Sequence, residues 1–168
     1  MSGQVTLLEA LEAPVLERMI ALFQQGQMPH YEQFPDHFGP ADDRAAIAGF
    51  LRGFFKPRNP FRQRAGFALG WMFDDQLSGY LLYRKYKSHD VFYGASRWIC
   101  FVEDIVVDET ARGHGGATAL MGQVLSDAEK LPNCSISGTV WNGNDASAAL
   151  FAKHGFKPLS QAFYKVTS

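Results

Sequence analysis

One stretch of the chain concentrates residues from which chemistry is built: Glu103-Asp-Ile-Val-Val-Asp-Glu-Thr-Ala-Arg112-Gly-His-Gly-Gly-Ala-Thr-Ala-Leu120. Its first part reads as a strand ending at Val107, and its last residues open a helix. Between them Gly113, Gly115 and Gly116 leave the turn almost without side chains. Backbone N–H groups can then converge on one concavity at a helix N-terminus, where the dipole favours an anion; a diphosphate fits such a place. The same glycines would equally serve a turn that only needs positive φ angles. Spacing narrows the ligand. A nucleoside-triphosphate loop places Lys-Ser or Lys-Thr after its last glycine, whereas Gly116 is followed by Ala117 and Thr118. A dinucleotide fingerprint is Gly-x-Gly-x-x-Gly early in a βαβ unit with an acid roughly 20 residues on; these glycines are spaced differently and come late in the chain.

Two carboxylates, Glu103 and Asp104, stand just before the turn. Successive strand residues face opposite sides, so only one of them is expected to face a bound reactant. The bland alternative is an ion pair with a neighbour such as Arg97. Other candidates are weaker. His30 and His37 are seven residues apart and match no metal-site pattern; His114 reads as an exposed loop residue, and His154 suits a helix end where the dipole favours a cation. Cys100 and Cys134 form neither a disulfide framework nor a metal cluster, and neither has a context that would activate it as a nucleophile. Residues 52 to 64 carry five basic residues and no acid, interleaved with aromatics. They sit at a helix end and a Pro-Asn-Pro turn, where nucleic-acid binding is the lesser reading.

The elements that must position these residues follow from the hydrophobic pattern. A β-favouring run from Val5 leads to a helix with Pro14 in its first turn and Leu16, Met19, Ile20 and Phe23 at helical spacing. From Gly26 to Pro40 there is no clean period, so a loop or short helix is expected. Asp42 or Asp43 caps a second helix carrying Ile47, Phe50, Leu51 and Phe54. Ala65 to Phe73 and Leu77 to Tyr83 form a hairpin around Asp74-Asp75-Gln76, and a second hairpin pairs Leu77 to Tyr86 with Trp98 to Val107. A helix from about Gly115 to Lys130, a strand Ser135 to Val140 and a helix from about Asp145 to His154, N-capped by Asn144, come next. Phe156 and Phe163 to Val166 are expected to close a last hairpin. The result is one α+β domain spanning residues 1–168, its mixed sheet antiparallel early and partly parallel late.

Composition bounds the function. The 168 residues are 46% hydrophobic, enough for one core and too many for disorder. Lys and Arg total 16 against 17 Asp and Glu, so no net field gathers nucleic acid or anionic lipid. The first ten residues lack the basic start of a secretion signal, and no window approaches the roughly 20 apolar residues of a membrane span. A soluble protein in the reducing cytoplasm is expected.

The segment Arg112-Gly-His-Gly-Gly-Ala117 resembles the Arg/Gln-x-x-Gly-x-Gly/Ala signature of the GNAT acetyltransferase superfamily, and it follows a Val-Val-Asp strand end as that family's does. A second block, Asn144-Asp-Ala-Ser-Ala-Ala-Leu-Phe-Ala-Lys-His-Gly-Phe156, resembles the family's Asn-x-x-Ala-x-x-Leu-Tyr-x-x-x-Gly-Phe. Phe101 to Val107 and Val140-Trp-Asn142 are similar to the diamine acetyltransferase branch, which acts on small polyamines and amine-bearing amino acids. The resemblance implies acetyl-CoA as cofactor, with the backbone of Ile105, Val106 and Val107 beside its pantetheine arm. The loop of Arg112, Gly113, His114, Gly115, Gly116, Ala117 and Thr118 would hold its pyrophosphate, and Asn144 and Phe151 would line the site. An alkyl amine is mostly protonated near pH 7 and attacks only when neutral, so Glu103 would be the general base, directly or through water. Asp104 would hold the cationic amine or orient water. Glu32 and Asp36, in a segment rich in acids and aromatics, would line the acceptor pocket. Phe151 departs from the family's tyrosine, whose hydroxyl can protonate the leaving thiolate; Tyr164 or water would replace it. The implied partners are a small-molecule amine and a second copy of the chain in a homodimer, with no metal, nucleic acid or membrane. A protein N-terminus, a lysine or an antibiotic amine is the alternative acceptor, and a non-catalytic acyl-CoA-binding module the alternative role.

Overall fold

A computed structural model of the protein describes residues 3–54, 65–88, 97–163 and 165. Runs of apolar and β-branched residues form five strands, β1 (Gln4–Leu7), β2 (Ala65–Phe73), β3 (Gln76–Ser88), β4 (Arg97–Val107) and β5 (Cys134–Gly138), which lie side by side in chain order. The first four are mutually antiparallel, and β5 joins β4 in parallel. Helices α1 (Ala13–Gln33) and α2 (Arg44–Phe54) precede β2, α3 (Gly116–Glu129) crosses from β4 to β5, and α4 (Asp145–Lys153) follows β5. The expected α+β fold with its mixed sheet is the observed one. The β2–β3 turn is carried by Asp74 and Asp75 at φ 51° and 58°, the paired left-handed conformation that matches the twist of a two-residue hairpin.

Each face of the sheet buries its own apolar layer. Leu16, Met19, Ile20 and Leu22 of α1, with Ile47 and Leu51 of α2, pack on Tyr80, Leu82 and Val106. Leu120, Met121 and Val124 of α3 pack on Trp71, Tyr83, Cys100 and Val102 from the other side. Truncating such a buried leucine to alanine typically removes about 2–5 kcal/mol. The face each strand residue takes therefore decides whether it meets α1 or α3.

Two expectations need correction. Helix α1 does not stop near Gly26 but continues through Gly26 and Pro29 to Gln33. The reason is tertiary: α1 crosses β4 so closely that a Cβ at Gly26 would lie 2.7 Å from Val106 Cγ2, and that packing overrides the poor helix propensity of glycine. The closing hairpin is not formed within the described residues. Residues 157–163 take no strand conformation, Tyr164 and Val166 lie outside the described residues, and Leu159 and Phe163 are 87% and 90% exposed. Pro158 removes a ladder donor from that segment.

Candidate active site

The parallel ladder between β4 and β5 ends at the pair Val102 and Gly138, yet β4 runs on to Val107. Past that point the strands part and leave a wedge-shaped cleft floored by residues 102–106 of β4. On the other edge of β4 the register with β3 slips: Tyr83 pairs with Val102 and Leu82 with Asp104, so Glu103 is an extra residue in a β-bulge. The bulge reverses the alternation of faces. Val102 packs with the α3 layer, while Val106, in phase with Asp104, packs with the α1 layer. The expectation that only one carboxylate faces the reactants is thereby corrected, because Glu103 and Asp104 both line the cleft.

The two acids have different partners. Arg84 of β3, its side chain 9% exposed, donates from Nε to Glu103 Oε1 at 2.5 Å. The ion pair anticipated for Arg97 is thus made by Arg84; Arg97 Nη1 donates to Ser135 Oγ at 3.2 Å. Asp104 accepts the hydroxyl of the fully buried Tyr80 at 2.6 Å. Burial pushes its carboxyl up to about 6, and it remains there although the Tyr80 hydroxyl and the Ile105 N–H pull it down.

That shift has a consequence for stability. An acid whose folded pKa lies above its unfolded value favours the fold at pH below the unfolded value, and this contribution is lost as pH rises through the folded value. With 3.8 unfolded and about 6 folded, the loss is about 3 kcal/mol at 1.36 kcal/mol per unit. Asp104→Asn keeps an acceptor for Tyr80 and cannot ionise. Urea unfolding should show the variant more stable than wild type at pH 8 by about 2 kcal/mol, with the gap closing toward pH 4; a gap of equal size at both pH values would contradict it.

The wall opposite β4 comes from the last turns of α1, whose close crossing at Gly26 brings Gln27 and His30 over the cleft. The His30 ring lies 5.6 Å from Phe38 and 6.5 Å from Trp141, and Phe38 meets Trp141 edge-on at 4.7 Å. His37 stands 5.2 Å from Trp141. These rings join the end of α1, the loop after it and the β5–α4 connection into one aromatic rim. Burial holds the His30 pKa below the ordinary histidine value.

The third side is α4. Asn144 is its N-cap, as expected, with Oδ1 accepting from Ser147 N at 3.0 Å, and it lines the cleft together with Phe151. Phe151 Cζ lies 2.8 Å from where a Cβ on Gly138 would stand. Only glycine at 138 admits the ring tip to the point where the strands part. Phe156 packs edge-on against Phe151 at 4.9 Å.

At the end of β4, Asp108 caps the turn of 3-10 helix Glu109–Ala111, accepting from Thr110 N at 2.9 Å and from Arg18 Nη2 at 2.6 Å. Gly113 and Gly115 follow at φ 83° and 84°, with open space where their Cβ atoms would stand, and Gly115 is the N-cap of α3. Gly116 begins the helix against Trp71, which leaves no room for a Cβ. The loop leaves open space beside a helix start, where backbone N–H groups and the helix dipole favour an anion. Arg112 Nε donates back to Val107 O at 3.3 Å, and the His114 ring rests 4.7 Å from Phe73. Lys153 Nζ reaches Thr118 Oγ1 at 3.1 Å, tying α4 to the first turn of α3.

The cleft thus gathers Glu103, Asp104, Ile105, Val106, Asn144 and Phe151. Arg112 to Thr118 form the adjoining loop. Glu32 and Asp36 are exposed and do not line the cleft, because their neighbours His30 and Phe38 turn inward instead. Tyr164 lies outside the described residues. Tyr80, Arg84 and Arg18 shape the site's electrostatics without having been singled out in the sequence, where His30 enters only as a candidate metal ligand and Trp141 and Asp108 stand only within the resembling motifs. Only Arg84, a cation inside an apolar strand, left a signal in the sequence.

No curated protein matches the chain at a significant level. Solved structures do match in fold. A mutant form of the BH1408 protein from Bacillus halodurans superposes with a TM-score of 0.75 at 16% identity, covering 98% of this chain and 99% of that one. Aminoglycoside 6'-N-acetyltransferase AAC(6')-Ih from Acinetobacter baumannii gives 0.69 at 16% identity over 99% of both chains. Aminoglycoside N-acetyltransferase AAC(6')-Iy in complex with CoA gives 0.63 at 17%, covering 98% of this chain and 94% of that one. The acetyltransferase (GNAT) family itself matches residues 18–156, which hold most of α1, the parted strands, the glycine loop and α4, and the chain therefore belongs to that family and is an acyltransferase.

Proposed function

We propose that the protein is an acetyl-CoA-dependent N-acetyltransferase that moves the acetyl group directly to a primary amine of a small cationic molecule in a ternary complex. The observation that carries this reading is a cleft between parted strands with two carboxylates in its floor, whose floor strand β4 leads through the turn capped by Asp108 into a glycine turn with open space at the N-terminus of α3. The stretch of β4 from Glu103 to Val107 pairs with β3 on one edge, and its other edge, beyond the end of the ladder with β5, offers main-chain groups to an amide-bearing chain such as pantetheine. The loop from Arg112 to Thr118 offers N–H donors to a diphosphate, and Arg112 and Lys153 add positive charge at its edge. Asn144 and Phe151 flank the place where the thioester would lie. Acetyl-CoA is consumed as the acyl donor and is in that sense a substrate.

The chain's own residues divide the remaining work. Glu103, fixed through Oε1 by Arg84, keeps Oε2 for the acceptor or a water and takes the proton that frees the amine lone pair. Asp104 attracts the cationic amine, and Glu32 and Asp36 add negative charge at the approach. The Cys100 thiol is pushed up to about 12, chiefly by burial, and sits 3.7 Å from the Cys134 thiol. A protonated buried thiol is a poor nucleophile, which supports direct transfer over an acyl-cysteine. Both cysteines are free, which suits the reducing cytoplasm. A homodimer is part of the proposal, supported by the exposed Leu159 and Phe163; light scattering should then return twice the 18.7 kDa of one chain.

A diamine-type acceptor agrees with the sequence resemblance, and an antibiotic amine is the second reading because two of the structural neighbours are aminoglycoside acetyltransferases. Acetyl-CoA with a panel of diamines, amino acids, aminoglycosides and lysine peptides, followed by free-thiol release, tests the reading. Turnover on one amine class is expected. Tight CoA binding without turnover on any amine would make the protein a binding module instead.

A further inference from the structure

Acetylation of an alkylammonium removes two protons from nitrogen and gives one to sulfur, so the cleft needs more than one proton-handling group. Glu103 is held by Arg84, and the Tyr80 hydroxyl is committed to Asp104 inside the core. Phe151, whose ring tip reaches the point where the strands part, has no proton to give. The hydroxyls of Thr139 and Ser147 line the cleft but do not exchange protons readily near neutral pH. Asp104 lines the cleft too, but its carboxylate is tied to the Tyr80 hydroxyl at 2.6 Å; among the described residues, the other lining group that takes up and releases a proton in that range is the imidazole of His30. It is held by ring contacts with Phe38 and Trp141, and no carboxylate of the described residues pairs with it.

We propose that His30 is the proton shuttle of the cleft, taking a proton from the acceptor nitrogen and returning it to the departing sulfur. The inference rests on the acetyltransferase reading above. The balance is complete without another reactant. Glu103 accepts the first proton of the ammonium, and the nitrogen lone pair forms the new C–N bond. A ring nitrogen of His30 accepts the second proton. As the C–S bond breaks with its electron pair on sulfur, the imidazolium gives that proton to the thiolate, and the proton on Glu103 leaves to solvent. A neutral ring is required at the start, and the burial of His30 in the aromatic rim favours it. The charged groups around it are Glu103 and Asp104 across the cleft, Glu32 on its own helix, and His37 beyond Phe38 and Trp141. The carboxylates favour the imidazolium once formed, and burial favours the neutral ring before that.

His30→Gln and His30→Phe separate chemistry from packing, because phenylalanine keeps the contacts with Phe38 and Trp141. Single-turnover acetyl transfer should fall about 10- to 100-fold in both, within the lower range for general acid–base groups, with acetyl-CoA affinity unchanged within about twofold. The acidic limb of the pH–rate profile should change with them. Nuclear magnetic resonance of the His30 ring proton, in protein without substrates, should titrate below 6.5. Adding Phe151→Tyr to His30→Gln places a hydroxyl at the parting strands and should restore part of the loss. A His30→Phe protein as fast as wild type, or a Tyr164→Phe protein that alone shows the loss, would overturn the shuttle while leaving the acetyltransferase intact. Wild-type protein without turnover on any amine would overturn both.

Discussion

Gly115→Glu is expected to abolish acyl-donor binding while leaving the fold in place. Gly115 sits at φ 84° with nothing within 4 Å of its Cβ position, so a side chain starts into open space at the N-terminus of α3. The left-handed backbone costs about 1–2 kcal/mol for a non-glycine residue, which a chain of this size withstands. The carboxylate then stands beside the proposed diphosphate site. Two like charges about 4 Å apart repel by about 4 kcal/mol at an effective dielectric of 20, and each 1.4 kcal/mol is tenfold in affinity. Calorimetry should show CoA binding weakened by at least about a hundredfold. Gly115→Ala, with the same backbone strain and no charge, should retain most of the affinity. Unchanged CoA affinity in a folded Gly115→Glu protein would place the diphosphate elsewhere.

Glu103→Gln should keep acetyl-CoA binding and lower the chemical step by about 100- to 10,000-fold, the usual effect of removing a general base. The loss should be greatest at low pH, where the amine gives up its proton least readily. Arg84 complicates the reading, since its guanidinium is nearly buried and loses its countercharge. Breaking such a pair costs up to about 3–5 kcal/mol when the partner is left bare, but glutamine still presents an oxygen to Arg84 Nε. Stability measured alongside turnover keeps the two effects apart. A folded variant within about threefold of wild type in single-turnover acetyl transfer would move the base to Asp104 or to water.

The parts of the fold carried by local chemistry were legible in the sequence. Asp74 and Asp75 announced a hairpin through their tolerance of positive φ, Asn144 announced a helix start through its side-chain acceptor, and the glycines after Val107 announced a bare turn before α3. What escaped depends on pairs distant in the chain. The length of α1 is decided by how Gly26 meets Val106, 80 residues on, and nothing near Gly26 encodes that contact. The bulge at Glu103 is a property of its register with β3, so the shared orientation of Glu103 and Asp104 is invisible to strand alternation. Arg84 was missed as the partner of Glu103 for the same reason. Between Pro29 and Asp43 the acids drew attention by charge, yet the rings of His30 and Phe38 pack together and Glu32 and Asp36 stay solvated. Burial of apolar and aromatic surface chose the face, and charge did not oppose it.

The proposed acyl-donor site joins the parted end of β4 to the glycine turn before α3. Backbone amide resonances followed during titration with acetyl-CoA test it most directly. Saturable shifts are expected at Ile105, Val106 and Val107 on the strand and at Gly113, Gly115, Gly116 and Thr118 in the loop, moving together with one dissociation constant. Shifts confined to other surfaces, or strand and loop responding with different dissociation constants, would contradict it.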